Sequence, residues 1–271
     1  MMRALYTAAT GMIAQQSNVD NISNNLSNVN TVGYKEQKTE FKSLLYQTIQ
    51  TRTTSANGEK KPISAQVGLG TRVAANTSIY TQGSMIASEN STDFAISGDG
   101  FFAVRGADGK TYYTRAGNFT WAVNGNAVRL TTTDGYPVLD TNGNEITLPA
   151  GVSSGQVIVS SDGSFGYTTA KGTYVDMNRS FGIYQFNNPA GLEKEGQNLL
   201  AETPASGAPL NEATNNNVTR SKIYQNYLEG SNVQVADEMV NLIVAQRAYQ
   251  LNSKAITASD EMLEQANNLR R

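Results

Sequence analysis

Apolar residues recur with helical spacing over residues 231–271. One row steps three or four residues at a time apart from one gap and comprises Val244, Ala248, Leu251, Ala255, Ala258, Met262 and Leu269. A second row repeats every seven residues and comprises Leu242, Tyr249, Ile256 and Leu263. At about 100° per residue, Leu242 lies roughly 160° around the helix from Val244, so the rows face opposite ways. Such a helix must be covered from both sides, by its own chain and by another molecule, and we infer a packed array.

The N-terminal residues show a heptad pattern that indicates a second helix, with Gly33 where a helix would end. Its natural partner is the first C-terminal row, which predicts an intrachain coiled coil between the two ends of the chain. The alternative, two amphipathic helices docked separately on a globular core, stays open. The expected seam consists of Leu5, Met12, Val19, Ile22, Leu26, Val29, Val244, Leu251, Ala258 and Met262.

The second C-terminal row is then free to contact neighbouring copies of the chain. The N-terminal helix is also rich in asparagine, whose amide groups both donate and accept hydrogen bonds across an interface; a merely solvated face is the alternative. The expected intersubunit residues are Leu242, Tyr249, Ile256, Leu263, Asn18 and Asn25. Because the apolar surface of this row is small beside the entropy of ordering the helix, we expect the helix to fray in the lone chain.

The middle of the chain has a different pattern, with short runs of Val, Ile, Thr, Tyr and Phe between turn dipeptides. The dipeptides end in glycine at Gly109, Gly125, Gly135, Gly143 and Gly163. These are hairpin signals, and they predict a mainly antiparallel β domain. The fold class is therefore α+β. The predicted division is an N-terminal helix (1–35), an extended linker or arm (36–67), a β-rich domain with a return loop (68–227) and a C-terminal helix (228–271).

The arm is predicted from residues 47–66, which form a polar stretch rich in Thr, Ser, Asn, Gly and charged residues and are typical of an extended arm or loop. Long polar loops are uncommon in compact domains and are usually functional or disordered. The candidate residues of this arm are Gln47, Thr51, Asn57, Lys60 and Gln66.

Composition excludes several classes of function. The chain has 271 residues, a net charge near −2, and neither cysteine nor histidine. Disulfides, thiolate or imidazole metal sites and imidazole bases are therefore excluded, and no cofactor, nucleic-acid partner or enzymatic activity is expected. No apolar run is long enough to cross a membrane, and the start is too polar for a cleaved signal peptide to be expected.

Two motifs fit β turns better than ligand sites. Gly98-Asp99-Gly100 lacks the following helix that a dinucleotide fingerprint requires. The loop from Asp140 to Asn144 has Glu145 where a calcium loop needs glycine.

Three groups of motifs resemble one family. The sequence NNLSNVNTVGYK at residues 24–35 resembles the N-terminal signature of bacterial flagellar rod and hook proteins. YLEGSNV at 227–233, EMV at 238–240, QRAY at 246–249 and NSK at 252–254 resemble its C-terminal signature. DFAISGDGFF at 93–102, with YTR at 113–115, resembles the family's β domain.

Within the family, RALY at residues 3–6, LLYQTI at 44–49 and NPAGLE at 188–193 are most similar to the subunits of the distal rod. The resemblance implies a structural protein that assembles into a stiff helical tube, transmits torque from motor to hook and forms part of an export channel. The polar arm would stiffen the tube. The implied partners are further copies, proximal rod subunits and hook protein at the two ends, peptidoglycan and outer-membrane ring proteins, and the flagellar type III export apparatus.

Two alternatives remain. The first is another axial subunit of the same family, from the proximal rod or the hook. The second is a secreted carbohydrate-binding β domain with helical ends, for which Trp121 and the tyrosines are the candidate residues, although core packing is their better explanation.

Overall fold

The structure is a computed structural model, and it describes residues 2–50, 65–125, 127–149, 151–169, 173–215 and 218–268. The chain divides into two compact units. The first, here called the helix unit, consists of Met1–Ser27, Gln37–Ser78 and Gln234–Arg271. The second, the β unit, consists of Asn28–Glu36 and Ile79–Val233.

The helix unit contains two long helices that pack against each other, α1 (Met2–Ser27) and α2 (Val235–Asn268). No proline or glycine interrupts α2, and Asp237 and Glu238 place acidic groups in its first turn, where they favour the positive helix end. The ends differ slightly from expectation. Helix α1 stops at Ser27, before Gly33, and the Ser231 side chain accepts a bond from the Val233 N–H instead of capping the helix.

A long two-stranded antiparallel ribbon completes the helix unit. Its strands are β1 (Gln37–Ser43), β2 (Tyr46–Gln50), β3 (Ala65–Gly68) and β4 (Thr71–Ser78). Strand β1 pairs with β4 and β2 pairs with β3. Backbone bonds from Leu44 to Gly70 and from Leu69 to Leu45 join the two pairs into one ladder.

The β unit is built from short strands, as the turn dipeptides predicted. They are β5 (Met85–Ala87), β6 (Phe94–Ser97), β7 (Phe101–Arg105), β8 (Thr111–Thr114), β9 (Phe119–Asn124), β10 (Ala127–Thr132), β11 (Thr147–Leu148), β12 (Val157–Val159), β13 (Ser164–Thr168), β14 (Tyr174–Ser180), β15 (Ile183–Gln185), β16 (Glu193–Gly196), β17 (Leu199–Ala201), β18 (Leu210–Asn211), β19 (Lys222–Gln225) and β20 (Tyr227–Glu229).

All the strand pairs found in the described residues of this unit are antiparallel. The largest sheet has the order β16-β17-β8-β7-β15-β18, and two three-stranded sheets have the orders β11-β10-β9 and β12-β13-β14. Strands β6 and β19 form one pair, and β5 and β20 form another. The prediction of terminal helices with a central antiparallel β domain, in a mixed α+β fold, is confirmed.

Aromatic residues fill the main core of the β unit. Phe94, Phe102, Phe119, Phe165 and Phe181 are buried together. The Phe165 and Phe181 ring centroids are 4.6 Å apart, and those of Phe102 and Phe119 are 5.1 Å apart. Such edge-on and tilted contacts are those that aromatic rings prefer. Trp121 packs against this cluster, which favours the core explanation for its side chain.

The turn prediction is confirmed by backbone geometry. The second residues of the five turn dipeptides all have φ between 62° and 89°, a region that glycine enters without strain. Gly98-Asp99-Gly100 leads directly into strand β7 and not into a helix, so the helix that a dinucleotide fingerprint requires does not follow this motif.

Candidate assembly surface

A row of large apolar side chains is exposed along α2. Val244 is 62% exposed, Leu251 is 66% exposed and Met262 is 49% exposed. Val240 shares this side of the helix, since it lies four residues before Val244. Monomeric proteins rarely expose a continuous apolar row of this kind, so the row is a candidate contact surface.

A different side of α2, about 100° around the helix from this row, faces α1. The Asn25 amide of α1 donates to Glu238 Oε1 over 3.3 Å, and Asn252 lies so close to Gly11 that a Cβ there would be 2.8 Å from the Asn252 Nδ2. Ala245 is buried and lies midway between Glu238 and Asn252 along the same face. The residues that pack on α1 therefore include small and polar side chains.

The structure places the two rows differently from the prediction. Leu242, Ile256 and Leu263 of the second row are half-buried near the face that meets α1, and Tyr249 is 37% exposed. Val244, Leu251, Ala258 and Met262, expected in the intrachain seam, are exposed. The physical reason is that the facing side of α1 carries Gly11 and small residues, which admit small and polar partners at close range.

The residues of α1 and its continuation lie partly as expected. Ile22 is buried, and the other N-terminal seam residues are half-buried: Leu5, Met12, Val19, Leu26 and Val29. Asn18 is also half-buried. Tyr6 and Ile13 are also exposed and were not predicted to be contact residues; their spacing of seven residues was the signal that could have indicated a further surface row.

Asn25 is not exposed, so the structure corrects the prediction that this side chain lies at a contact between copies. It is 1% exposed, its Nδ2 donates to the Gln37 carbonyl over 2.8 Å, and its Oδ1 accepts from the Gln37 N–H over 3.0 Å. On the same side of α1, Asn21 Nδ2 donates to Thr39 Oγ1 over 2.9 Å. These bonds fix α1 to the first strand of the ribbon.

The ribbon also carries exposed apolar side chains, which were not predicted to take part in contacts. They are Phe41, Leu45, Tyr46, Ile49, Val67 and Leu69. Tyr46 and Val67 belong to adjacent pairs of the ladder, so they lie on opposite faces of the ribbon. A two-stranded ribbon is marginally stable alone, so an apolar surface on it favours a further contact. The sequence signal was present in Leu45, Tyr46 and Ile49, which stand at the start of the predicted polar arm.

The candidate arm residues fall into two groups. Gln47 on β2 and Gln66 on β3 are exposed, and the Gln66 Nε2 lies 3.5 Å from Thr48 Oγ1 across the ribbon. Thr51, Asn57 and Lys60 lie outside the described residues.

The β unit contains a buried ion cluster that joins three distant parts of the chain. Lys35 Nζ lies 2.7 Å from Glu229 Oε1, and an Arg115 guanidinium nitrogen lies 3.2 Å from Glu229 Oε2. The Gly83 N–H also donates to Glu229 Oε1, and the Gly33 N–H donates to the Glu229 carbonyl. Burial lowers the pKa of Lys35, while the Glu229 carboxylate opposes that shift. The sequence analysis noted these residues only as parts of family motifs.

The described ranges contain no group of three or more carboxylates placed to hold a metal ion. No helix among them is long and apolar enough to span a bilayer.

Comparisons with known proteins agree with this picture. Three family descriptions match the chain: "Flagella basal body rod protein" at residues 5–35, "Flagellar hook protein FlgE/F/G D1 domain" at 95–167 and "Flagellar basal body rod FlgEFG protein C-terminal" at 224–269. The crystal structure of the Helicobacter pylori flagellar hook protein FlgE2 is 17% identical in sequence, and the match covers 65% of this chain and 47% of the hook protein. The TM-score of this match is 0.23, which is too low to support a comparison of the folds.

Two relatives extend over nearly the whole chain. The flagellar basal-body rod protein FlgG of Agrobacterium fabrum is 43% identical over 96% of this chain and 97% of its own length. The protein of the same name from Borreliella burgdorferi is 43% identical over 100% of both chains. Similarity of this extent shows that the chain belongs to the family of flagellar basal-body rod proteins, structural components of the flagellum that are not enzymes.

Proposed function

We propose that this chain is a subunit of the distal rod, which assembles with further copies into a stiff helical tube. The observation that carries the proposal is the exposed apolar row of α2, formed by Val240, Val244, Leu251 and Met262. None of these side chains carries a charge, and their spacing matches helix-to-helix packing. A second copy presenting the same helix pair offers the apolar surface needed to cover the row.

The helix pair acts in this proposal as a two-stranded coiled coil that forms one assembly domain from both chain ends. The predicted residues of that domain are 1–35 and 228–271. The β-rich domain, 68–227, provides the remaining contacts. Intersubunit contact through Leu242, Tyr249, Ile256 and Leu263 is limited to the parts of these side chains that α1 leaves uncovered.

The arm provides stiffness. The ribbon from Gln37 to Ser78 presents apolar side chains beside Gln47 and Gln66, and it leads into the polar stretch that contains Thr51, Asn57 and Lys60. Contact of this arm with a neighbouring copy would restrict bending of the tube. A stiff tube can transmit torque from motor to hook, and its bore would form part of the export channel.

The remaining partners follow from this position. Proximal rod subunits and hook protein would adjoin the two ends of the tube, and peptidoglycan and outer-membrane ring proteins would surround it. The flagellar type III apparatus would export the chain without a cleaved signal peptide, which places it in the part of the basal body that crosses the cell envelope.

Electron microscopy of the purified chain tests the proposal directly. Straight tubes that form above a critical concentration are expected from the full chain. A matched variant lacking residues 51–61 should form tubes that bend or vary in length. A second variant with the order of those residues scrambled separates the effect of their sequence from the effect of their length. Absence of any polymer from the full chain, together with normal motility of a strain lacking it, would contradict the proposed function.

A further inference from the structure

The face of α2 that packs on α1 is polar in an unusual way. Glu238, Ala245, Asn252 and Ser259 follow one another at intervals of seven residues, and three of them are buried. Positions with this spacing in a helix pair are ordinarily apolar. A polar residue at such a position lowers stability, but it can fix how the two helices are aligned.

Two contacts show one alignment of the antiparallel helices. Asn25 meets Glu238 at 3.3 Å, and Gly11 meets Asn252. The second contact lies fourteen residues earlier on α1 and fourteen residues later on α2. Because fourteen residues are two heptads, both contacts belong to the same register.

Each contact discriminates against a slipped register for its own reason. Asn25 is buried and held by both backbone groups of Gln37, so its bond to Glu238 is made at a fixed place. Gly11 is the only glycine of α1, and Asn252 occupies the space that a Cβ would take. A slip of one heptad would place Asn252 opposite Ala4 or Asn18, both of which have a Cβ.

We propose that the Asn25–Glu238 and Gly11–Asn252 contacts set the register between α1 and α2. They thereby fix where the exposed row of α2 stands relative to the exposed residues of α1, such as Ile13. This last step rests on the proposed assembly function. The partner whose docking depends on this register is a second copy of the chain.

Distance measurement between two spin labels tests the register without any polymer. The chain has no cysteine, so Ser23→Cys and Gln250→Cys, at exposed positions on the two helices, provide specific labelling sites. The chain with Glu238 and Asn252 intact should give one distance. The Glu238→Leu/Asn252→Leu variant should give a second population displaced by about 10 Å along the axis, since a heptad rises at roughly 1.5 Å per residue.

Matched variants separate register from general effects. Asn241→Leu/Glu264→Leu makes the same two changes at exposed positions of α2 and should keep the single distance. Glu238→Gln keeps an oxygen acceptor for Asn25, so this variant should also give the single distance. A single native distance in Glu238→Leu/Asn252→Leu, or an equal displacement in the exposed control, would overturn the inference.

A second pair of variants keeps the test decisive if the leucine variant loses its helix pair. Gly11→Ala places a methyl group 2.8 Å from the Asn252 amide nitrogen, so it should raise the melting temperature less in the chain with Asn252 than in the Asn252→Ala background, where alanine favours the helix equally but meets no amide. An equal change in melting temperature in the two backgrounds would also overturn the inference. Tube formation by the unlabelled chain is scored separately, so a chain with one fixed register and no tubes would contradict the proposed function alone.

Discussion

Leu251→Asp should strongly weaken assembly while leaving the stability of the lone chain nearly unchanged. Leu251 is 66% exposed in the exposed row of α2. Full burial of a leucine side chain is worth about 1.5–3 kcal/mol, so covering the exposed two-thirds at an interface contributes about 1–2 kcal/mol. An unpaired aspartate there would lose hydration at a further penalty of about 1–3 kcal/mol. The combined loss is about 3 kcal/mol for each contact.

The expected result is a rise of roughly a hundredfold in the critical concentration for tubes, because about 1.4 kcal/mol corresponds to a factor of ten. Sedimentation of polymer over a concentration series measures it. The melting temperature of the helices, followed by circular dichroism, should change little, since an exposed substitution usually shifts stability by less than about 0.5 kcal/mol.

Two control variants separate a loss of assembly from a loss of stability in the lone chain. Leu251→Met keeps the apolar surface and should assemble normally. Leu242→Asp introduces a charge at a half-buried position near α1 and should lower the melting temperature of the lone chain. If Leu251→Asp assembles at the original critical concentration, the exposed row is not an interface and the reasoning fails.

Three further predictions concern the β unit. Glu229→Gln leaves two buried cations without their counter-charge and should lower the free energy of unfolding by about 3–5 kcal/mol in urea titrations followed by Trp121 fluorescence; an unchanged midpoint would argue against the ion cluster. Gly33→Ala should destabilise the protein by more than about 1 kcal/mol. The reason is that Gly33 has a φ of 70° and the new Cβ would lie 2.6 Å from the Ala116 nitrogen. Calorimetry would show this loss as a lower melting temperature. Burial raises the pKa of Tyr113, so the stability that its neutral form provides is complete below the ordinary tyrosine pKa and is lost as pH rises above it; Tyr113→Phe should lose less stability between neutral and strongly alkaline pH, and an identical pH profile would contradict this.

Local features of the β unit were predictable from sequence. A dipeptide such as Asp108-Gly109 restricts its own backbone, and Gly109 has the positive φ that a tight turn requires. These signals act within a few residues, so they do not depend on how the rest of the chain packs.

The orientation of α2 was not predictable from its apolar rows. Counting hydrophobic residues favours the row with Val244 and Leu251 as the covered side. Which side of α2 is covered depends on the residues that α1 presents to it. Gly11 and Asn25 of α1 lie against Asn252 and Glu238 of α2. The pattern of one helix alone does not contain that information.

Long-range polar contacts were the hardest to predict. Lys35 and Glu229 are separated by 194 residues, and neither has a local pattern that indicates burial. The apolar ribbon was missed for another reason, because Leu45, Tyr46 and Ile49 stand next to a polar stretch whose composition dominated the interpretation.

The ion cluster has a consequence for the timing of folding. A chain that emerges with its N-terminus first releases Lys35 and Arg115 long before Glu229, the acid that both of them need. Until then, burial of these two cations would leave them without a counter-charge, which is unfavourable. We therefore expect Lys35 and Arg115 to become buried only after a residue close to the C-terminal end has emerged.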